Sequence, residues 1–515
     1  MRSYKESGNG RRVVIVGGGM AGTRLAQQLA AAAVGSVGSV DVTVIGEEPH
    51  PAYNRVLLAE VLAGRYAPDV IALPALAVGR RLSGVRVVRL DRDPGEVVCD
   101  DGRRVPYDSL VLATGSNPVL PPLRGLFEPH GHELPDGVHA FRTMDDCLAL
   151  GSAIRPGVRA VVIGGGLLGV SAARALAQRG AQVVLAHQGE HLMERQLDAG
   201  ASRVLRQHVE ALGVEVHTEC RVRGLRTRSP DGGGRAVSAA ELADGYALEA
   251  DLVVLACGVR PRVGLARAAG LDVARGVVVD DELRTSDPRV FAIGDCAEHG
   301  GVLYGLAGPA QDQADVLARI LSPTPPLPET GKLRPPAPQG SAPAPDRGSA
   351  PDPGRGSALE PALGPAPDPD RGSAPDPGRG SAPDPGPGST QVVGNRAAGR
   401  HGWAQPGHRA AHGSDTGPRY TGSRALTRLT LAATSSPLDL AAFGETTPAP
   451  GDDVVQLADA TRNAYRKVVV RGDRLVGGIL LGDLGSVGAL ARTWEGDEPL
   501  PSTPLLHLLT NDGGS

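Results

Sequence analysis

The sequence predicts an α/β fold: two nested Rossmann-like units, a long disordered Pro/Gly-rich insertion, and a small α+β domain at the C-terminal end. Three observations predict it. Short apolar strands alternate with helical patterns from residue 11 to about residue 320, the rhythm of parallel sheets. Two of those strands run straight into glycine-rich loops, Gly17-Gly18-Gly19-Met20-Ala21-Gly22 and Gly164-Gly165-Gly166-Leu167-Leu168-Gly169. Between Ser322 and about Pro418 the composition changes completely, to Pro, Gly, Ser, Asp and Arg.

In chain order, the first unit opens with a strand at Val13–Val16 and a helix at Met20–Ala33, followed by strands at Asp41–Ile45, Val85–Leu90 and Ser109–Ala113. The second unit repeats the pattern: strand Ala160–Ile163, helix Leu167–Arg179, strand Gln182–Ala186, helix Ala199–Leu212. Strands at Asp251–Ala256 and Val290–Ile293 and a helix at Gly308–Leu321 return to the first. In the insertion an eight-residue unit, Arg347–Gly354, recurs at Arg371–Gly378 and Arg379–Gly386. Such a unit is too short for a solenoid and cannot bury a core, so it reads as a solvated spacer. Beyond Tyr420 a strand at Leu426–Leu431, a hairpin of Tyr465–Val470 and Leu475–Leu481 around Arg471-Gly472-Asp473, and a short helix at Leu500–Asn511 are expected. The division is therefore 11–122 and 249–321 for the first unit, 123–248 for the nested one, 322–418 for the linker and 419–511 for the tail.

Bulk properties exclude several classes. The 515 residues are 41% hydrophobic but only 3% aromatic, so the cores are built from Val, Leu, Ala and Ile. A net charge of −4 gives no bulk attraction for nucleic acid. The N-terminal segment has no apolar signal region and no apolar run reaches the length of a membrane span. The five cysteines (Cys99, Cys147, Cys220, Cys257, Cys296) form no C-x-x-C, which suits a reducing cytoplasm and argues against a metal site. His130, His132, His401, His408 and His412 match no closed zinc spacing.

The loops carry the chemistry. Gly17 permits the turn after the strand, Gly19 lets backbone approach a pyrophosphate, and Gly22 lets the helix lie close to the sheet. Met20 and Ala21 open the helix, whose N–H groups face the phosphate. An acid after the next strand should hold a ribose hydroxyl; Glu47 fits, with Glu48 as the fallback. Gly164, Gly166, Leu168 and Gly169 repeat this geometry. There the following strand ends at His187, not at an acid. His187 reads equally as a tolerant neighbour of a 2′-phosphate, with Arg195 as helper, or as a surface residue, so NAD against NADP stays open. Thr114-Gly115 and Gly294-Asp295 each end a strand in a tight turn, and the turn at Cys257-Gly258 leads back to the first unit. Two such loops in one chain point to two nucleotide cofactors and to electron transfer between them.

These segments, with Pro51–Leu58 around Tyr53-Asn54-Arg55, Leu192–Asp198 around Met193-Glu194-Arg195-Gln196, Gly294–His299 and the tail hairpin Tyr465–Gly477, resemble the two-dinucleotide FAD/NAD(P)H flavoprotein reductases. The resemblance is closest to the FAD module of assimilatory nitrite reductase large subunits and the electron-transfer subunit of assimilatory nitrate reductase. It implies FAD at the first loop, with Arg55, Val88, Thr114, Gly115, Gly294 and Asp295 as further contacts and Asp295 on the ribityl chain. It implies NAD(P)H at the second loop, with Gly258 beside it. Hydride passes at the flavin, so no side chain is assigned as a catalytic acid or base. The implied partner is an iron–sulphur protein or a nitrate or nitrite reductase catalytic subunit, docked on the tail, and the resemblance admits a homodimer. The chain departs from its relatives in two places. Many carry a glutamate where Ser171 stands, and ferredoxin-dependent oxygenase reductases carry a lysine where Glu60 stands. Tyr53–Leu58 lacks the cysteine of disulfide-reducing relatives, and Cys257 and Cys296 read as packing residues. With no iron–sulphur or sirohaem ligands, the chain is expected not to reduce nitrite by itself. The alternatives are a ferredoxin or rubredoxin reductase, an NAD(P)H oxidase, and, in a different class, a flavin-binding sensor or scaffold with little turnover.

Overall fold

The computed structural model describes residues 10–33, 40–229, 234–322, 417–432, 437–459, 461–482, 484–500 and 509. The repeat segment, His401, His408, His412 and almost all of the expected helix at Leu500–Asn511 lie outside them. The described residues fall in one compact unit.

Two five-stranded parallel sheets dominate. In the first, Arg11–Val16 lies at the centre, between Ser109–Leu112 and Val40–Gly46, with Val290–Ala292 and Arg80–Ser83 at the edges. In the second, Arg159–Ile163 holds the central place, between Gln182–Ala186 and Leu252–Leu255, with Val214–His217 and Val138–Ala140 outside. Each central strand is covered on both faces, which is why Val13–Val16 and Ala160–Ile163 read as unbroken apolar runs rather than alternating ones. Val13 and Ile15 are fully buried, and each such side chain contributes roughly 1.5–3 kcal/mol.

The helices are α1 (Met20–Ala33), α2 (Leu58–Leu62), α3 (Met144–Ala153), α4 (Leu167–Gln178), α5 (Ala199–Ala211), α6 (Gly264–Ala268), α7 (Ala307–Leu321) and α8 (Val487–Gly496). Of these, α1, α4, α5 and α7 lie within one residue of the expected bounds, whereas α2, α3, α6 and α8 are not expected from the sequence. Three differences are informative. Val85–Leu90 does not join the parallel sheet; Val87–Asp91 starts an antiparallel meander with Glu96–Cys99 and Arg104–Pro106, and Arg80–Ser83 takes the sheet edge instead. The exposed, arginine-rich edge strand carries no apolar periodicity, so it was silent in the sequence. Leu252–Leu255 pairs with the centre of the second sheet, so the chain returns to the first unit after residue 255 and not at 249. The two crossings, Ser116–Pro118 and Val259–Pro261, pair with each other as an antiparallel ribbon.

The tail is a five-stranded antiparallel sheet in the order Leu426–Leu431, Leu438–Gly444, Arg474–Leu481, Ala464–Arg471, Asp453–Asp459. One face packs on α8 through Phe443, Val468, Leu480 and Trp494. The other face, with Leu440, Tyr465, Ile479 and Leu481, shares a core with Leu62 and with Leu176, Leu205 and Val209 of the second unit.

Candidate functional site

Both glycine loops open into one cavity of about 1370 Å³. It lies beyond the carboxyl ends of the strands in both parallel sheets, where open α/β sheets bind ligands. The loops show why they are glycine. Gly17 and Gly164 have φ of +122° and +117°, and an added Cβ would lie 2.0 Å from the Ala113 carbonyl oxygen and 2.4 Å from that of Ala256. Gly22 and Gly169 pack their helices onto the loops; a Cβ there would meet the carbonyl oxygens of Gly17 and Gly164 at 2.1 and 1.7 Å. Gly19 and Gly166 differ: a Cβ on either would meet nothing within 4 Å. That open space lies over the N-termini of α1 and α4, where unpaired backbone N–H groups favour an anion. Two pyrophosphate cradles of the same design therefore face one cavity, and the residues present fit two dinucleotides.

At the first loop the cavity is lined by Gly17, Gly19, Met20, Ala21, Glu47, Arg55, Thr114, Gly115, Gly294 and Asp295. Val88 is a correction: it is half exposed and does not line the cavity, whereas its neighbour Val87 is buried and does. The pleat turns successive side chains to opposite faces, so a one-residue error reverses the assignment. Glu47 pairs with Arg262, while Glu48 turns inward to accept from Tyr53 Oη at 2.6 Å and pair with Arg55 at 2.6 Å. Burial works against the Glu48 charge, but Arg55 and the Tyr53 hydroxyl outweigh it and hold the carboxyl below its usual range. Burial, with Glu48 as a hydrogen-bonding neighbour, pushes the Tyr53 hydroxyl well above its ordinary value.

Three arginines of this end escaped the sequence reading. Arg142 pairs with Asp295, and both it and Asp295 bond Ser116 Oγ at 2.8 Å. Its Nε is buried without a hydrogen-bond partner, and burial holds the guanidinium below its ordinary value. Arg81 lies against the first loop, donating to the Gly18 carbonyl at 3.0 Å, and it too is lowered by burial. Arg262 donates to Asn117 as well as Glu47, and its carbonyl accepts from Thr114 Oγ1 at 2.8 Å. A surplus of half-buried guanidinium suits a diphosphate. One signal for Arg142 stood in the sequence: Thr143 and Asp146 form the capping box of α3, which fixes the residue just before it.

At the second loop Gly164, Gly166, Leu168, His187, Arg195 and Gly258 line the cavity. His187 fits neither reading. Its Nδ1 accepts from the Gly165 N–H at 3.1 Å, its Nε2 is buried, and burial lowers its pKa. A neutral ring locked onto the loop is a clamp and brings no cation to a 2′-phosphate. Glu194, Arg195 and Arg221 line that end instead. Between the two halves, Ser171 turns its hydroxyl back to the Leu167 carbonyl at 2.8 Å, and Glu60 is tied to Arg174, a side chain only 1% exposed. Arg428 and Leu429 of the tail reach the cavity wall.

All five cysteines are free. Burial raises every thiol, Cys257 to about 11 and Cys147 to about 11, so none is a ready nucleophile at neutral pH. Among the described residues no group of His, Cys, Asp and Glu could hold a metal ion, and no helix is long and apolar enough to cross a membrane.

Residues 11–314 match the family model of the pyridine nucleotide-disulphide oxidoreductases, and residues 435–493 match that of the rubredoxin NAD+ reductase C-terminal domain. The chain is 37% identical over 313 residues to the assimilatory nitrate reductase electron transfer subunit of Bacillus subtilis, covering 60% of this chain and 38% of that protein. It is 35% identical over 311 residues to the nitrite reductase (NADH) large subunit of Escherichia coli, covering 59% and 35%. The chain thus spans less than two-fifths of either relative. In fold it is similar to the NADH:rubredoxin oxidoreductase of Clostridium acetobutylicum, with a TM-score of 0.61 at 17% identity over 97% of this chain and 99% of that one. It is likewise similar to the ferredoxin reductase for the CYP199A2 system of Rhodopseudomonas palustris, with a TM-score of 0.68 at 20% identity over 98% of both chains.

Proposed function

The chain belongs to the pyridine nucleotide-disulphide oxidoreductase family, and on that premise we propose that it carries electrons from NAD(P)H through FAD to a separate redox protein of nitrate or nitrite assimilation. The observation that carries this reading is the single cavity lined by two glycine loops, each over a helix N-terminus. Gly17, Gly19, Arg55, Arg142 and Asp295 would hold FAD; Gly164, Gly166 and the 193–196 turn would hold the nicotinamide nucleotide. When bound, FAD supplies the acceptor for a hydride and can release the electrons one at a time.

The protein's own task is placement. The first loop and α1 would orient one pyrophosphate and the second loop and α4 the other, both at one cavity, which is the placement that hydride transfer requires. Arg142 and Ser116 fix the carboxylate of Asp295. Gln313 of α7 accepts the Gly294 N–H at 2.7 Å and so ties that turn to the helix whose N-terminus faces the cavity. No cysteine takes part, so the reaction departs from the dithiol chemistry in the family's name. The names of the two relatives, an electron transfer subunit and a nitrite reductase large subunit, favour nitrate or nitrite assimilation as the setting. The match of residues 435–493 to a rubredoxin reductase domain favours a rubredoxin- or ferredoxin-type acceptor as the second reading.

The test is direct. Purified, flavin-loaded protein is mixed with NADH or NADPH under anaerobic conditions, and the flavin absorbance is followed. Bleaching within seconds is expected with at least one nucleotide. Reoxidation is then timed with a nitrate or nitrite reductase catalytic subunit, a rubredoxin, a ferredoxin and dioxygen. Persistent colour with both nucleotides would leave a sensor or scaffold as the better description.

A further inference from the structure

Two segments that carry the resemblance to the nitrate and nitrite branch are far apart in sequence and touch in the structure. The tail hairpin brings Tyr465 and Lys467 onto Asp198, the last residue of the Leu192–Asp198 segment. Tyr465 Oη donates to Asp198 Oδ2 at 2.7 Å, and Lys467 Nζ pairs with the same oxygen at 2.7 Å. Asp198 Oδ1 accepts from the Ala201 N–H at 3.0 Å and caps α5. The contact is a built one. Lys467 is 9% exposed, and Gly200 stands in the first turn of α5 where a Cβ would lie 2.8 Å from the Tyr465 ring.

From Asp198 the connection continues into the cavity. Leu197 and Gln196 close a turn onto the Met193 carbonyl at 2.9 and 2.8 Å. Met193 sits at a φ of +52° and donates its N–H to the Gly165 carbonyl at 2.9 Å. Gly165 is the middle residue of the second glycine loop, and Met193, Glu194, Arg195 and Gln196 all line the cavity. Leu192, Met193 and Leu197 are buried, so the turn cannot shift independently of the residues at its two ends. A second anchor lies on the other side of the same loop. Arg174 and Gln178 of α4 both donate to the Ala432 carbonyl at the end of the first tail strand.

We propose that the C-terminal sheet is part of the nicotinamide-nucleotide site, with Lys467 and Tyr465 acting as positioning residues that hold the second glycine loop and the 193–196 turn through Asp198. This rests on the reading that the second loop binds NAD(P)H. The sheet is thus a support for the electron donor and not solely a surface for the acceptor.

Asp198→Asn separates the ion pair from the cap, because asparagine caps a helix as well as aspartate does. Full-length, flavin-loaded wild type, Asp198→Asn, Lys467→Met and the double variant are titrated calorimetrically with NADH and with NADPH, and KM and kcat are measured with ferricyanide as acceptor. Each single variant should weaken the preferred nucleotide about tenfold in Kd and KM, with kcat within about twofold and FAD content unchanged. The double variant should lose no more than the weaker-binding single variant, since both changes break the same contact. Asp198→Asn alone carries the test if Lys467→Met fails to fold. Wild-type affinity in the single variants, or losses that simply multiply in the double variant, would overturn the proposal. A wild type that binds neither nucleotide would overturn the underlying reading as well.

Discussion

Asp295 and Arg142 stand 153 residues apart and share the hydroxyl of Ser116. Both side chains are largely buried, so removing one charge strands the other, at a cost of roughly 3–5 kcal/mol. Arg142→Met should therefore lower FAD affinity by at least about a hundredfold and lower the melting temperature of the flavin-loaded protein. Equilibrium dialysis and differential scanning calorimetry check this, and unchanged flavin retention would count against a cofactor role for the pair. At Cys257 the thiol at about 11 leaves on the order of one molecule in ten thousand ionised at pH 7. Iodoacetamide at neutral pH should accordingly leave NAD(P)H-dependent reduction of ferricyanide intact, and rapid inactivation would reopen thiol chemistry. The glycines singled out in the sequence mark backbone geometry. Gly17, Gly164 and Gly294 all occupy positive φ. Arg142, Arg81 and Arg262 were missed because arginine is abundant and its partners, Asp295, Gly18 and Glu47, lie far away along the chain.

The two helix-opening loops make a sharp prediction at the level of the element. Gly164→Ala places a methyl against the Ala256 carbonyl at a backbone angle that L-residues avoid, so it should destabilise the apoprotein by about 1–3 kcal/mol or more. Gly166→Ala meets only open space, and as a change of the α4 N-cap it should cost the apoprotein about 0.5–1 kcal/mol, less than Gly164→Ala. It should nevertheless weaken nucleotide binding at least about tenfold, because the methyl takes the place of the pyrophosphate. Chemical denaturation of the apoprotein beside NADH and NADPH titrations distinguishes the two; equal stability losses would mean that the open space is not a ligand cradle. Long periodic elements were legible. The strands Val13–Val16 and Gln182–Ala186 and the helix Met20–Ala33 stand where apolar runs and small-residue patterns put them. Short, polar or edge elements were not. Arg80–Ser83 is an exposed edge, and Asp453–Asp459 alternates exposed and half-buried residues at the rim of the tail sheet. Helix α8 was missed as well, since the helix of the tail was expected later, at Leu500–Asn511.

For the molecule as a whole, Glu48 and Asp198 are both held below the ordinary carboxyl range. At Asp198 burial opposes the charge, and the Ala201 N–H with Lys467 and Tyr465 outweighs it. A carboxyl depressed by folding adds stability that is complete above its unfolded pKa, about 3.9 for Asp and 4.3 for Glu, and is lost as pH falls through the folded value. Melting temperature should therefore be insensitive to these groups between about pH 6 and 8 and fall below about pH 4. Glu48→Gln should flatten that acid limb, which a pH series of thermal melts would reveal; an unaltered slope would remove Glu48 from the account.

The sequence alone determined the two nucleotide loops, their nesting, the parallel sheets around them and the family, because turn geometry and strand burial leave local marks in residue type and spacing. It could not decide which strand completes which sheet, which arginine meets which carboxylate, or that the tail hairpin grips Asp198 beside the second loop. Those pairings depend on contacts between residues up to 291 positions apart, and only the closed tertiary structure brings the partners within hydrogen-bonding distance.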